Sequence, residues 1–271
     1  MITPLQSILE NKFLFQYYSF GPLNGDMEYQ YLKFPYVKNF ISSDTPELLQ
    51  QNLITQPNDW YYRNNDVNYT LNSYGYRTKE FDDIEWENSI VIFGCSFVFG
   101  VGVDDKHTIS YFLEEMLNIP VINMGYFSSS VQTCLHNSII LKNSKYPNPK
   151  AIVYLYPNLN RRQVYNRNKI EHLGDWSSSE KRSINDLEDS IISNIINIKN
   201  IRTLWNDYNI LEYSPEKKVS FAIEPKKIFY LNKILDFRAK KLYSRDLSHP
   251  GKEYNYEVAK KIKFDLLEQV L

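Results

Sequence analysis

Cysteine is nearly missing from this chain: Cys95 and Cys134 are the only two in 271 residues. Two isolated thiols make no disulfide framework, and their spacing fits no zinc site. An excess of charge is missing too, with 31 Lys+Arg against 32 Asp+Glu and a formal net charge of -1. There is thus no basic field to gather a phosphate backbone, and no nucleic-acid partner is expected. No apolar stretch approaches the roughly 18 residues a membrane span needs. The start, Met1-Ile2-Thr3-Pro4-Leu5-Gln6, has no basic flank, apolar run or cleavage site, so a cytoplasmic or non-classically released protein is expected. Gly100-Val101-Gly102-Val103 fails the dinucleotide fingerprint, and no phosphate loop, His-Glu-x-x-His or paired-cysteine site occurs. Position 98 is Val where a Gly-x-Ser-x-Gly elbow requires glycine. No cofactor and no metal are expected.

What is present is a globular composition, 43% hydrophobic and 23% charged. The length suits one domain with an appendage or two small domains. Tyrosine is abundant at 22 residues while glycine is scarce at 9, a slant that coding bias explains as well as function does. Aromatic faces with polar tips also suit sugar rings, although packing is their commoner use.

From about residue 89 onward, short apolar runs alternate with helical periodicities, the pattern of an α/β sheet. Ile90-Val91-Ile92-Phe93 ending in Gly94, Val121-Ile122-Asn123-Met124 ending in Gly125, and 151–156 halted by Pro157 read as buried strands. Between them Thr108 caps a helix with Ile109, Phe112, Leu113, Met116 and Leu117 on one face, and Val131, Cys134, Leu135 and Ile139 mark another. A long amphipathic helix carries Ile184, Leu187, Ile191, Ile195 and Ile198. The last helix, after Pro250-Gly251, buries Val258, Ala259, Ile262, Leu266 and Leu267. Further strands are expected at 210–213 and 219–223. Short links imply parallel strands and right-handed crossovers, hence a three-layer α/β/α core over 86–271. Residues 1–85 are Pro- and Tyr-rich and irregular apart from a helical period near 5–17. They read as an extension packed on the core, with Asn72-Ser73-Tyr74-Gly75-Tyr76-Arg77 as a bend before an edge strand.

In such sheets ligands bind beyond the carboxyl ends of the strands, where helix amino termini present free N–H groups. Three strand ends carry distinctive residues: Gly94-Cys95-Ser96-Phe97, Asn123-Met124-Gly125 and Tyr156-Pro157-Asn158. A serine hydroxyl needs an imidazole to take its proton, and the imidazole needs a third group to orient it. Asp246 and His249, three apart in a turn before the last helix, suit that pairing. The amides of Ser96 and Gly125 and the side chain of Asn158 or Asn160 are candidate donors to an oxyanion. Arg161 and Arg162 follow the third strand end closely enough to touch a substrate. His107, His136 and His172 have no partner spacing and read as structural or exposed.

These residues in this order resemble the SGNH (GDSL-type) hydrolases, esterases and acyl hydrolases on a flavodoxin-like parallel sheet. The similarity spans roughly 86–271. The first block is matched by Gly94-Cys95-Ser96-Phe97-Val98-Phe99-Gly100, with Cys95 where the family has aspartate. The resemblance implies Ser96 as nucleophile, with His249 and Asp246 completing a triad. It also implies an oxyanion hole of Ser96, Gly125 and Asn158. The third block, Tyr156-Pro157-Asn158-Leu159, lacks the family's glycine and trailing aspartate, which keeps Asn160 in competition with Asn158. The implied activity is hydrolysis of O-acyl, above all O-acetyl, esters on a small molecule or polysaccharide. An O-acyltransferase or a non-catalytic carbohydrate-binding protein on the same fold is the alternative.

Overall fold

The computed structural model describes residues 36–166, 169–174, 177, 184–208, 210–217, 228–231 and 236–269. The expected helical period at 5–17 and the strand at 219–223 lie outside them.

The apolar runs form a five-stranded parallel sheet: β3 (Ile90–Gly94), β4 (Val121–Gly125), β5 (Ala151–Leu155), β8 (Ile210–Ser214) and β9 (Ile228–Tyr230). The spatial order is β4-β3-β5-β8-β9. Counting only these strands, that is the 2-1-3-4-5 doubly wound order, with its switch point between β3 and β5. β9 was not anticipated. Every residue of β3, β4 and β5 is buried, as expected for strands covered on both faces.

Alternation along the strands separates two cores. Val91, Phe93, Ile122, Met124, Ile152 and Tyr154 face one way, against α4 (Val131–Lys142) and α5 (Ile184–Leu204). Ile90, Ile92, Val121, Val153, Leu211 and Tyr213 face the other, against α3 (Ile109–Leu117) and α6 (Lys252–Gln269). The result is the three-layer α/β/α architecture. Each fully buried aliphatic side chain contributes about 1.5–3 kcal/mol to it. Thr108 caps α3 as expected, its side chain accepting from the Tyr111 N–H. Leu267, expected on the buried face of the last helix, is 55% exposed, and Ile139 and Leu187, which marked two other helical periods, are exposed at 44% and 36%. Leu267 lies about 100° round the helix from Leu266, beyond the edge of the buried stripe.

Two features depart from the expected layout. The polar stretch after β5 pairs as an antiparallel hairpin, β6 (Arg162–Asn166) with β7 (Lys169–Leu173). The bend at Asn72 follows a strand and does not precede an edge strand: β2 (Tyr69–Leu71), paired antiparallel with β1 (Tyr36–Lys38), comes first. After the bend the next strand is β3, inside the main sheet. The Asn72 side-chain oxygen accepts from the Tyr74 and Tyr76 N–H groups, and Gly75 takes the positive φ of 79° that the turn needs.

Residues 36–85 meet the sheet through two apolar contacts: Tyr62, Val67, Tyr69 and Leu71 cluster with Phe99 and Val101, and Tyr76 and Phe81 are fully buried in the core on the α4–α5 face. Polar contacts add to these. The Arg77 side chain, 2% exposed, pairs with Asp105 at 2.6 Å. It also donates to the carbonyls of Asn68 (2.7 Å), Gly100 (2.6 Å) and Val103 (2.7 Å).

Candidate active site

Ser96 opens α2 (Ser96–Phe99), a single helical turn directly after β3, so its N–H has no intrahelical acceptor. Cys95 before it is extended, and Gly100 ends the turn in left-handed conformation at φ 81°. The tight approach of α2 to β4 demands glycine at 125: a Cβ there would sit 2.5 Å from the Phe99 nitrogen.

Asp246 and His249 lie in the loop before α6. The loop is clasped by the Ser244 N–H on the His249 carbonyl (2.9 Å) and the Arg245 N–H on the Gly102 carbonyl (2.9 Å). The structure brings the three sequence-predicted residues together. His249 Nε2 is 2.9 Å from Ser96 Oγ, across 153 positions of sequence, and His249 Nδ1 is 2.7 Å from Asp246 Oδ2. An ionised carboxylate only accepts, so Nδ1 carries the proton and Nε2 is left to accept from the serine. Phe97 packs edge-on against the imidazole, with ring centroids 6.0 Å apart.

The Asp246 side chain is fully buried. Burial alone would raise its pKa. The hydrogen bond and charge of His249, then the hydroxyls of Ser43 and Ser244, overcome this and hold the carboxyl well below the usual carboxylate range. Oδ1 accepts from Ser244 Oγ (2.7 Å) and from the N–H groups of Ser248 and His249 (3.0 Å each), and Oδ2 accepts from Ser43 Oγ (2.6 Å). The other histidines stand apart from this chemistry. Burial pushes His136 down to about 4, burial and Arg161 push His172 down to about 4, and burial lowers His107. Among the described residues no group of three or more His, Cys, Asp or Glu is placed to hold a metal ion.

The expected oxyanion donors fare unequally. The Gly125 N–H is donated to Asn123 Oδ1 at 3.0 Å, inside the fold, and is not available to a substrate. Glycine is required there for packing against α2. Asn158 follows β5, and its side-chain oxygen accepts the Asn160 N–H at 3.3 Å, which makes the NH2 the donor end of that amide. Arg161 reaches the loop after β4, with Nη1 3.4 Å from the Ser129 carbonyl, whereas Arg162 enters the β6 hairpin.

Sequence reasoning missed the residues that hold this frame. Buried Asn123 donates to the Val98 carbonyl (2.8 Å) and to Ser110 Oγ (3.2 Å), tying β4 to α2 and α3. Its signal was an asparagine inside an otherwise apolar strand, where a polar side chain must find partners. The loop 126–130 folds back over the end of β3 through the Tyr126 N–H (3.1 Å) and Ser129 Oγ (2.9 Å), both on the Gly94 carbonyl. Ser128 takes a positive φ of 59° at that reversal, and no feature of the sequence marked it.

No protein-family model matches the chain, and no curated protein does. Solved structures do. A putative lipolytic protein of the G-D-S-L family from Desulfitobacterium hafniense is 16% identical over 65% of this chain and 98% of its own, with a TM-score of 0.42. An acetyl xylan esterase from Butyrivibrio proteoclasticus is 11% identical over 68% of this chain and 64% of its own, TM-score 0.45. AlinE4, an SGNH-hydrolase family esterase, is 17% identical over 68% of this chain and 97% of its own, TM-score 0.40. Similarity at this level says nothing about what the site does, and its chemistry rests on the distances above.

Proposed function

We propose that the chain is a serine esterase of the SGNH type that hydrolyses O-acyl esters, with acetyl esters of carbohydrates as its substrates. The observation that carries this reading is the relay Ser96 Oγ to His249 Nε2 (2.9 Å) and His249 Nδ1 to Asp246 Oδ2 (2.7 Å). Ser96 attacks the ester carbonyl while His249 takes its proton, and Asp246 orients the imidazole and stabilises the imidazolium. The protonated imidazole then passes the proton to the departing alcohol. Water, deprotonated by the same nitrogen, releases the acid from the acyl-enzyme. No cofactor or metal takes part in these steps.

The tetrahedral oxyanion is held by the Ser96 N–H at the start of α2 and by the Asn158 NH2. The third donor is not Gly125 but the loop 126–130, where the Ser128 N–H meets no acceptor among the described residues. Ser96 is only 4% exposed, which suits a short acyl group. A cavity of about 440 Å³ beside Leu247 is lined by Trp60, Tyr61 and Tyr243, side chains of the kind that pack on sugar rings, with Lys252 over the Tyr61 ring at 3.7 Å.

A fluorophosphonate should label Ser96 in the full chain, shown by peptide mapping, and acetylated polysaccharide should release acetate. Labelling at another residue would sink the assignment. Transfer of the acyl group to an added sugar in preference to water would turn the esterase into a transferase.

A further inference from the structure

We propose that Ser43 is a positioning residue for Asp246, so that residues 41–55, outside the parallel sheet, form part of the catalytic apparatus. This inference rests on the reading of Ser96, His249 and Asp246 as a triad. Ser43 Oγ donates to Asp246 Oδ2 at 2.6 Å across 203 positions of sequence, and Oδ2 is the oxygen that also meets His249 Nδ1. The hydroxyl and the imidazole therefore share one acceptor atom.

The segment is anchored for that purpose at two further points on the same loop. Asp44 grips the guanidinium of Arg245, the residue before Asp246, with Nε 2.9 Å from Oδ1 and Nη2 2.7 Å from Oδ2. Asn52, from α1 (Pro46–Thr55), donates its amide to the Arg245 carbonyl at 2.9 Å. Asp44 and Arg245 are both buried, and the Tyr69 hydroxyl closes the group by donating to Asp44 while accepting from the Gly102 N–H (2.7 Å). Ser43 itself is exposed, so neighbouring packing does not place its hydroxyl; the Asp44–Arg245 pair next to it does.

Sharing Oδ2 has a chemical consequence. A hydroxyl donating to a carboxylate draws off part of its negative charge and fixes its plane. Without it, Oδ2 is a stronger partner for the imidazolium, which then persists to higher pH, and the carboxylate is freer to rotate. Loss of the hydroxyl should thus move the acid limb of the pH–rate profile upward and lower turnover. The other ionisable groups around Asp246 leave this sign unchanged. Arg245 is neutralised by Asp44. The Tyr62 hydroxyl is pushed far above its ordinary range by burial, then by Glu253, Tyr61, Asp246 and Asp44, and stays neutral. Lys252 and Glu253 of α6 pair with each other at 4.0 Å.

The test compares Ser43→Thr with Ser43→Val, two side chains of one shape that differ in the hydroxyl, alongside Ser43→Ala. The readouts are kcat/KM for p-nitrophenyl acetate across pH, and Tm. Thr should keep the wild-type profile. Val and Ala should lose about threefold to tenfold in kcat/KM, the size of one hydrogen bond's net contribution. Their acid limb should move up by a few tenths of a pH unit, roughly the effect expected of a single added or lost neighbour. Matching acid limbs in Thr and Val would overturn the proposal whatever their absolute rates. Ser96→Ala, run in parallel, separates this failure from that of the triad. If it keeps turnover the nucleophile is misassigned. If it is inactive while Val matches Thr, only the role of Ser43 falls.

Discussion

The parallel sheet and the segment before it differ in how much of their hold is polar. Around β3, β4 and β5, two apolar clusters divide the strand residues by alternation, and aromatic rings stack across strands, Phe93 on Tyr154 at 5.1 Å between centroids. Residues 36–85 bury apolar side chains as well, Tyr69 and Leu71 in one cluster and Tyr76 and Phe81 in another, but add ions and amides: Arg77 with Asp105 and backbone carbonyls, Asp44 with Arg245, Asn52 with the Arg245 carbonyl. Apolar burial is non-directional and tolerates small shifts. Buried ionic contacts are directional, and removing one partner leaves the other desolvated and alone. The sheet supplies bulk stability, and the polar segment supplies position at the loop 244–249.

The sharpest separation of the two comes from Ser96→Ala, which touches neither. We expect it to lower ester turnover by about 10⁴-fold or more with an unchanged Tm. A Tm loss would mean that the serine belongs to the packing and not to the chemistry. Next come Arg77→Ala and Phe93→Ala, each costing about 3–5 kcal/mol, by stranded polar groups in one case and by a cavity in the other. Hydrogen exchange should distinguish them. Arg77→Ala should open residues 36–85 while the sheet amides stay protected, whereas Phe93→Ala should weaken protection throughout. Equal loss in both regions for both variants would erase the contrast.

A smaller effect follows from the depressed pKa of Asp246. Its folded value lies below the unfolded value of about 3.9, so its contribution to stability is complete above that pH and is lost as pH falls toward the folded value. Denaturant midpoints between pH 5 and 2 should drop more steeply for wild type than for Asp246→Asn. Parallel curves would show that this carboxyl adds nothing. Smallest is Leu267→Ala, expected within about 0.5 kcal/mol because the residue is more than half exposed.

Much of the sheet was legible because its strands are unbroken apolar runs ending in glycine or proline, a pattern with no competing reading of that length. The three-residue spacing of Asp246 and His249 was legible for a similar reason, since a turn of that span closes on itself. Gly125 was misread because a glycine at a strand end signals either a passing ligand or a passing helix, and only coordinates show Phe99 in the way. Ser43 and Asp44 left no trace at all: their partners lie about two hundred positions distant, and polar residues in an irregular segment look like any surface loop. The β6 hairpin was hidden by the polar residues of β6 and its neighbours, Arg162, Gln163 and Asn166.

The order of the parts along the chain has a consequence for synthesis. Asp246 and His249 both come after position 245, past every described strand of the main sheet. A polypeptide halted on the ribosome short of that point would carry the hydroxyl without anything to activate it. Translation therefore has a built-in delay: the reactive hydroxyl is made first and armed 153 positions later, when the loop before α6 emerges and meets Ser43, synthesised 203 positions before Asp246.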